Sequence, residues 1–182
     1  LSREGGHSQD RVLHHKDMTG AEIERALVAK VDASQNIDFL TYHFAIDLIT
    51  EHQVQKKATK RKEKITCFGA YVLDTKNDIV KTFASKITLL ASGGNGQIYT
   101  TTTNPTVATG DGLAMAYRAK AEVSDIEFIQ CHPTALFNPG EYPAFLISEA
   151  VRGEGAKLKC INGDKFMHKY DPREELASRD IV

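Results

Sequence analysis

The residues best able to do chemistry on a small charged molecule lie in the last part of the chain. Three segments follow one another there: Gln130-Cys131-His132-Pro133-Thr134-Ala135-Leu136, then Ser148-Glu149-Ala150-Val151-Arg152-Gly153-Glu154-Gly155-Ala156, then Glu175-Leu176-Ala177-Ser178-Arg179-Asp180. They gather a histidine, a carboxylate and two arginines. Guanidinium groups fork onto carboxylates and an imidazole adds a further hydrogen bond, so the set suits a small dicarboxylate. At the other end, Glu4 precedes Gly5-Gly6-His7. A carboxylate at that point can recognise an ammonium group by a charge-assisted hydrogen bond, which a glutamine cannot match in charge. Gly5 and Gly6 permit close approach of backbone to a ligand, or simply form a flexible loop.

Each of these residues also has a plainer role. His132 stands before Pro133, which holds its backbone extended, and a lone histidine is usually structural. Glu149 and Arg152 share a helical face at i, i+3, the spacing of a surface ion pair worth under about 1 kcal/mol. Inside a capped site the same pair could relay protons. Arg179 would act as an acid or base only with strong help from its surroundings, because the reference pKa of arginine is about 12.5 or above. Its plainer partner is Asp180. Gly93-Gly94 after a strand suits either a ligand edge or a tight turn; it is not a GxGxxG, and no βαβ unit precedes it.

The elements that must position these groups read as a mixture of helix and strand. Ile23, Leu27 and Val31 repeat at helical spacing after Thr19, with Glu22 three residues on, so a helix capped at Thr19 is expected from residue 19 to about 33–35. Residues 37–40 read as a short buried strand and 45–49 as a second one. The lysine- and arginine-rich run 55–64 reads as a solvated hairpin tip. Strands at about 65–73, 79–84 and 86–91 follow, the first two joined by turn residues 75–78 and together forming a small β-meander; the third is apolar enough for a buried parallel sheet. Thr109 or Asp111 caps a helix over 113–119, and 126–129 resumes as a strand. Gly153 and Gly155 mark a sharp helix end, and 174–182 reads as the first turns of a further helix.

Composition narrows the function classes. The chain has 182 residues, with 23 basic and 24 acidic side chains. That balance points to neither nucleic acid nor a membrane surface. Cys67, Cys131 and Cys160 are far apart and lack metal-site spacing, so free thiols in a reducing cytoplasm are expected and no metal is. No apolar run reaches the roughly 20 residues of a membrane span. Both ends read as internal, and the chain as a fragment of a longer protein.

The three carboxyl-terminal segments, in that order, resemble the substrate-capping region of the succinate dehydrogenase, fumarate reductase and L-aspartate oxidase flavoprotein family. Ala91-Ser92-Gly93-Gly94 and Thr109-Gly110-Asp111-Gly112-Leu113-Ala114 resemble the same family's second glycine segment and the segment after it. The resemblance implies an α/β (α+β mixed) fold: part of a Rossmann-like FAD-binding domain with a β-meander over residues 1–125, then the start of an α+β capping domain over 126–182. It implies FAD near Gly5, Gly6, Phe44, Ala45, Ser92, Gly93, Gly94 and Asp111. It implies that His132 and Ser148 hold substrate carboxylates, and that Arg179, with Glu149 and Arg152, moves protons. Two positions depart from the family: Cys131 replaces an aromatic residue and Ser178 a proline. Within the family, Arg3-Glu4-Gly5-Gly6-His7-Ser8 is similar to the members that oxidise L-aspartate to iminoaspartate on the way to quinolinate and NAD, with oxygen or fumarate as acceptor and a functional link to quinolinate synthase. Glu4 then meets the substrate ammonium group. The other readings are a dehydrogenase or reductase flavoprotein fragment and a non-catalytic globular piece.

Overall fold

The structure, a computed structural model, describes residues 1–182 apart from 3, 5, 17 and 56–63. Most of the basic run 55–64, and Gly5, therefore lie outside the described residues. The chain divides into two compact units, one formed by Leu1–Ile37 with Gln130–Val182 and the other by Asp38–Ile129.

The second unit is built on an antiparallel meander of β1 (His43–Thr50), β2 (Cys67–Asp74) and β3 (Ile79–Ala84), in that spatial order. The short helix α2 (Glu51–Gln55) follows β1. The turn between β2 and β3 is organised by Asp74, which is 3% exposed. Its carboxylate accepts hydrogen bonds from Lys81 Nζ at 2.6 Å, Asn77 Nδ2 at 2.8 Å and the backbone N–H groups of Lys76 and Asn77. Lys81 first, then Asn77, hold that carboxyl far below the usual range.

Gly69 pairs with Ile49 on one side and Ala84 on the other, at φ +141°. A Cβ there would stand 1.8 Å from the Phe83 carbonyl oxygen. Backbone cannot rotate away as a side chain can. Gly69→Ala is therefore expected to lower stability by about 1–3 kcal/mol or more, read as a reduced urea midpoint of the complete protein. An unchanged midpoint would contradict this packing.

Several expected elements do not form, for physical reasons the structure makes plain. Residues 37–40 are irregular and exposed, because pairing with β2 begins only where Thr75 N–H and Oγ1 donate to Tyr42 O, both at 2.9 Å. Residues 86–91 are not a strand either. The meander ends where Ser85 N–H meets Phe68 O, no described strand lies alongside the next segment, and Ile87 and Leu89 stay 87% and 86% exposed. Residues 126–129 form a turn opened by Asp125 at φ +58° and closed by Phe128 N–H on Asp125 O.

Helix α3 (Asp111–Arg118) forms as expected but is capped differently. Gly110, at φ +80°, occupies the N-cap, and Asp111 is the first helical residue, its carboxylate accepting the Thr109 hydroxyl. A left-handed cap suits glycine best, because it has no Cβ to clash. At the other end, Arg118 Nε donates to Asp47 Oδ2 and its NH2 to Ile46 O, both at 3.0 Å, tying the helix to β1. Ile49, Ala108, Met115 and Ala119 are the buried apolar residues here.

In the first unit, α1 (Thr19–Asp32) has the expected span. Thr19 is not its cap. Met18 holds that position, and the Thr19 hydroxyl accepts the N–H of His15 at 3.0 Å. Ile23 and Leu27 form the expected stripe yet remain 56% and 62% exposed. The expected helix over 174–182 is instead a 3-10 turn, Glu174–Leu176, stopped by the extended Ala177, and then a turn in which Ser178 O accepts the N–H groups of Ile181 and Val182. Helix α4 (Ala150–Gly153) is one turn long, and Gly155 at φ +103° redirects the chain after it.

Candidate active site

Within the first unit, a short antiparallel contact brings the histidine segment to the acidic one. Ala135 bridges Leu146, Leu136 N–H donates to Phe145 O at 2.8 Å, and the Thr134 hydroxyl donates to Ile147 O at 3.1 Å. Residues 132–134 thus run beside 147–149. His132 is half-buried, and its Nδ1 lies 2.8 Å from Thr134 O and 3.2 Å from Thr134 N. That leaves Nε2 for a ligand. The Ser148 hydroxyl accepts Ala150 N–H at 3.3 Å, which leaves its own hydrogen to donate.

Glu149 stands between two guanidinium groups. Its Oε2 accepts Arg179 NH2 at 2.5 Å and its Oε1 accepts Arg152 NH2 at 2.6 Å. Glu149 is 7% exposed and Arg152 3%. The pair at i, i+3 is therefore buried, not the surface bridge that its spacing equally allowed. Burial works to raise the pKa of Glu149, but Arg179 and Arg152 outweigh it and hold the carboxyl below its ordinary value. Nor does Arg179 pair with Asp180. Its NH1 instead donates to Gln130 Oε1 at 2.7 Å.

Gln130 is a site residue that the sequence pattern names without a role. Its signal was its offset: in an extended segment, residues two apart share a face, so Gln130 belongs with His132. Glu4 is half-buried, and its carbonyl accepts His7 N–H at 3.2 Å. Gly6 N–H donates to Leu176 O at 2.8 Å, so the Glu4 segment lies against the turn that carries Arg179.

The second unit holds the other glycine segment. Gly110 N–H donates to Gly94 O at 3.2 Å, which ties that segment to the start of α3. A Cβ on Gly112 would stand 1.8 Å from the Ser92 hydroxyl, so Ser92 packs directly on the helix. Gly93 and Gly94, by contrast, have nothing within 4 Å of a Cβ position. They border a cavity of about 270 Å³ that Asn95, Leu113, Asp125 and Phe128 also line. Asp111 begins α3 beside it, while Phe44 and Ala45 lie on β1, Phe44 half exposed. The volume suits one edge of a large cofactor and not a whole dinucleotide, since drug-sized pockets run to roughly 300–1,000 Å³.

Among the described residues no cluster of His, Cys, Asp or Glu could hold a metal ion, and no helix is long and apolar enough to cross a membrane. All three cysteines are free thiols, as their spacing implies.

The fold is thus mixed, with an antiparallel meander, a glycine segment bordering a cavity, and an Arg–Glu–Arg line in which Glu149 and Arg152 are buried. The model of the FAD binding domain family matches residues 1–182. The chain belongs to that family, which includes the succinate dehydrogenase and fumarate reductase flavoproteins. L-aspartate oxidase 2-b, chloroplastic, of Nicotiana tabacum is 51% identical over the whole chain, which covers 28% of that protein. L-aspartate oxidase 1 of Ralstonia nicotianae is 50% identical over the whole chain, covering 33%. A solved structure of quinol-fumarate reductase with menaquinol molecules superimposes with a TM-score of 0.82 at 26% identity, over 99% of this chain and 30% of that one. The chain thus spans about a third or less of the length of these relatives.

Proposed function

We propose that this chain is part of an FAD-dependent enzyme that oxidises L-aspartate to iminoaspartate, the first step toward quinolinate and NAD. The observation that carries the reading is the line Arg179–Glu149–Arg152, which joins a half-buried guanidinium to a fully buried one through a single carboxylate. Similarity at about half identity to L-aspartate oxidases supports the same reading. Residues 1–125 are assigned to the FAD-binding part and 126–182 to the start of the substrate cap. Gly6, Phe44, Ala45, Ser92, Gly93, Gly94 and Asp111, with Gly5, are assigned to the cofactor.

FAD, when bound, supplies the hydride acceptor, with oxygen or fumarate as the final oxidant. This chain's residues bind the substrate and handle its protons. His132 and the Ser148 hydroxyl donate to the substrate carboxylates. Glu4 accepts a hydrogen bond from the α-ammonium group. Arg179 exchanges a proton with the bound substrate at its guanidinium, and Glu149 and Arg152 carry it onward across contacts of 2.5 and 2.6 Å. The product passes to quinolinate synthase. The reading places the enzyme in the cytoplasm; the tobacco relative is named chloroplastic, and cell fractionation decides between the two.

The likeness to quinol-fumarate reductase favours one rival, a dicarboxylate dehydrogenase or reductase. Glu4→Gln in the complete enzyme separates the two. Aspartate oxidation should fall by about 10- to 100-fold with the loss of a charge-assisted hydrogen bond of about 1.5–3 kcal/mol, while fumarate reduction is spared or improved. Steady-state kinetics of both reactions on one preparation measure this. Parallel losses, or unchanged aspartate activity, would return the reductase reading to the lead. A complete protein that loses all flavin absorbance on desalting would support a non-catalytic one.

A further inference from the structure

The turn that presents Arg179 is anchored by a residue without an assigned task, Glu175. Its side chain is 2% exposed, among the largest fully buried ones among the described residues. Carboxylates are almost never so buried unless paired. Here Oε1 accepts the backbone N–H of Leu158 at 3.0 Å, and Oε2 lies 2.9 Å from Lys157 Nζ. Lys157, more exposed, also pairs with Glu174 at 2.6 Å. The 3-10 turn Glu174–Leu176 is thereby fixed to the segment at 157–158.

Two functional groups hang from that turn by its backbone carbonyls. Glu175 O accepts Arg152 NH1 at 3.0 Å, and Leu176 O accepts Gly6 N–H at 2.8 Å. Three residues after Leu176 comes Arg179, which meets Glu149. A shift of the turn would therefore move the buried end of the Arg–Glu–Arg line, its half-buried end and the Gly6 loop together.

We propose that Glu175 is a positioning residue that, through its buried contacts with Leu158 and Lys157, sets the Glu175 and Leu176 carbonyls and so places Arg152, Gly6 and Arg179 for turnover. The effect on turnover rests on the aspartate oxidase reading above; the placement itself does not. A site shifted by about 1 Å can lose about 100-fold in rate without contact between the altered residue and the chemistry.

The test uses the complete holoenzyme and compares Glu175→Ala with Glu175→Gln, whose amide oxygen can still accept Leu158 N–H. Amide hydrogen exchange should accelerate at Gly6, His7 and residues 150–153 of Glu175→Ala, stay slow in β1–β3, and return toward wild type in Glu175→Gln. In step with this, kcat per bound flavin should fall about 10- to 100-fold in Glu175→Ala, with KM for L-aspartate little changed, and recover in Glu175→Gln. Should Glu175→Ala yield no folded protein, Glu175→Met carries the same comparison, because it keeps much of the buried volume and loses both the Leu158 and the Lys157 contacts. Unchanged exchange at Gly6, His7 and 150–153 overturns the proposal, as does acceleration spread equally over β1–β3, which would make Glu175 a general stability residue. The exchange result stands whether or not the wild type oxidises L-aspartate, so a wild type without that activity overturns the reading of function alone.

Discussion

Replacing Arg179 with leucine in the complete enzyme is expected to lower kcat for L-aspartate oxidation by roughly 10²–10⁴-fold, the range for a positioned proton-transfer group, with flavin still bound. The reasoning starts from what Arg179 touches. Its two terminal nitrogens donate to Gln130 Oε1 and Glu149 Oε2, and neither contact belongs to the Gly93-Gly94 segment assigned to the cofactor. Leucine keeps much of the volume and loses both contacts and the exchangeable protons. Glu149 keeps Arg152, at 2.6 Å, so the buried carboxylate is not left alone and the fold should survive. Rapid-mixing measurement of flavin reduction by L-aspartate isolates the step. Reduction at the wild-type rate would remove Arg179 from the chemistry and reduce it to an ion-pair partner.

Much of this site was legible in the sequence because chemistry-bearing residues sat in short, ordered segments. His132, Ser148, Glu149, Arg152 and Arg179 fall in one unit. What the sequence could not decide was which of two partners a charged group takes. Arg179 has Asp180 next to it and chooses Glu149, thirty positions earlier, because Ala177 is extended and turns the chain before the arginine. Local spacing carries no information on that choice. The same limit shows in the strands. β1, β2 and β3 were legible because each pairs with another. Residues 37–40 and 86–91 are as apolar as a buried strand, but a strand requires a neighbour to satisfy its backbone groups, and no described strand provides one. Helix caps failed for a smaller reason. Thr19 and Asp111 have capping side chains, yet each sits one residue inside its helix, where Met18 and Gly110 take the cap by backbone conformation alone.

Glu149→Ala should cost more stability than any other single change in the site, about 3–5 kcal/mol, because it leaves buried Arg152 without its carboxylate. Arg152 would keep only the Glu175 carbonyl, 3.0 Å from NH1, and its Nε has no hydrogen-bond partner among the described residues. Glu149→Gln is expected to fall between, since one amide oxygen can serve one guanidinium while the NH₂ group faces the other. Acid should narrow the gap. The folded-state pKa of Glu149 lies below its unfolded value, near 4.3 for a free glutamate, so its contribution is complete above about that pH and is lost as pH falls through the folded value. Urea unfolding of the complete wild type and of Glu149→Ala, at neutral pH and at successively lower pH, should show a large difference that shrinks toward acid. A difference that persists undiminished at the lowest pH would mean that Glu149 stabilises by packing, and that the charge between the two arginines is not what holds them in line.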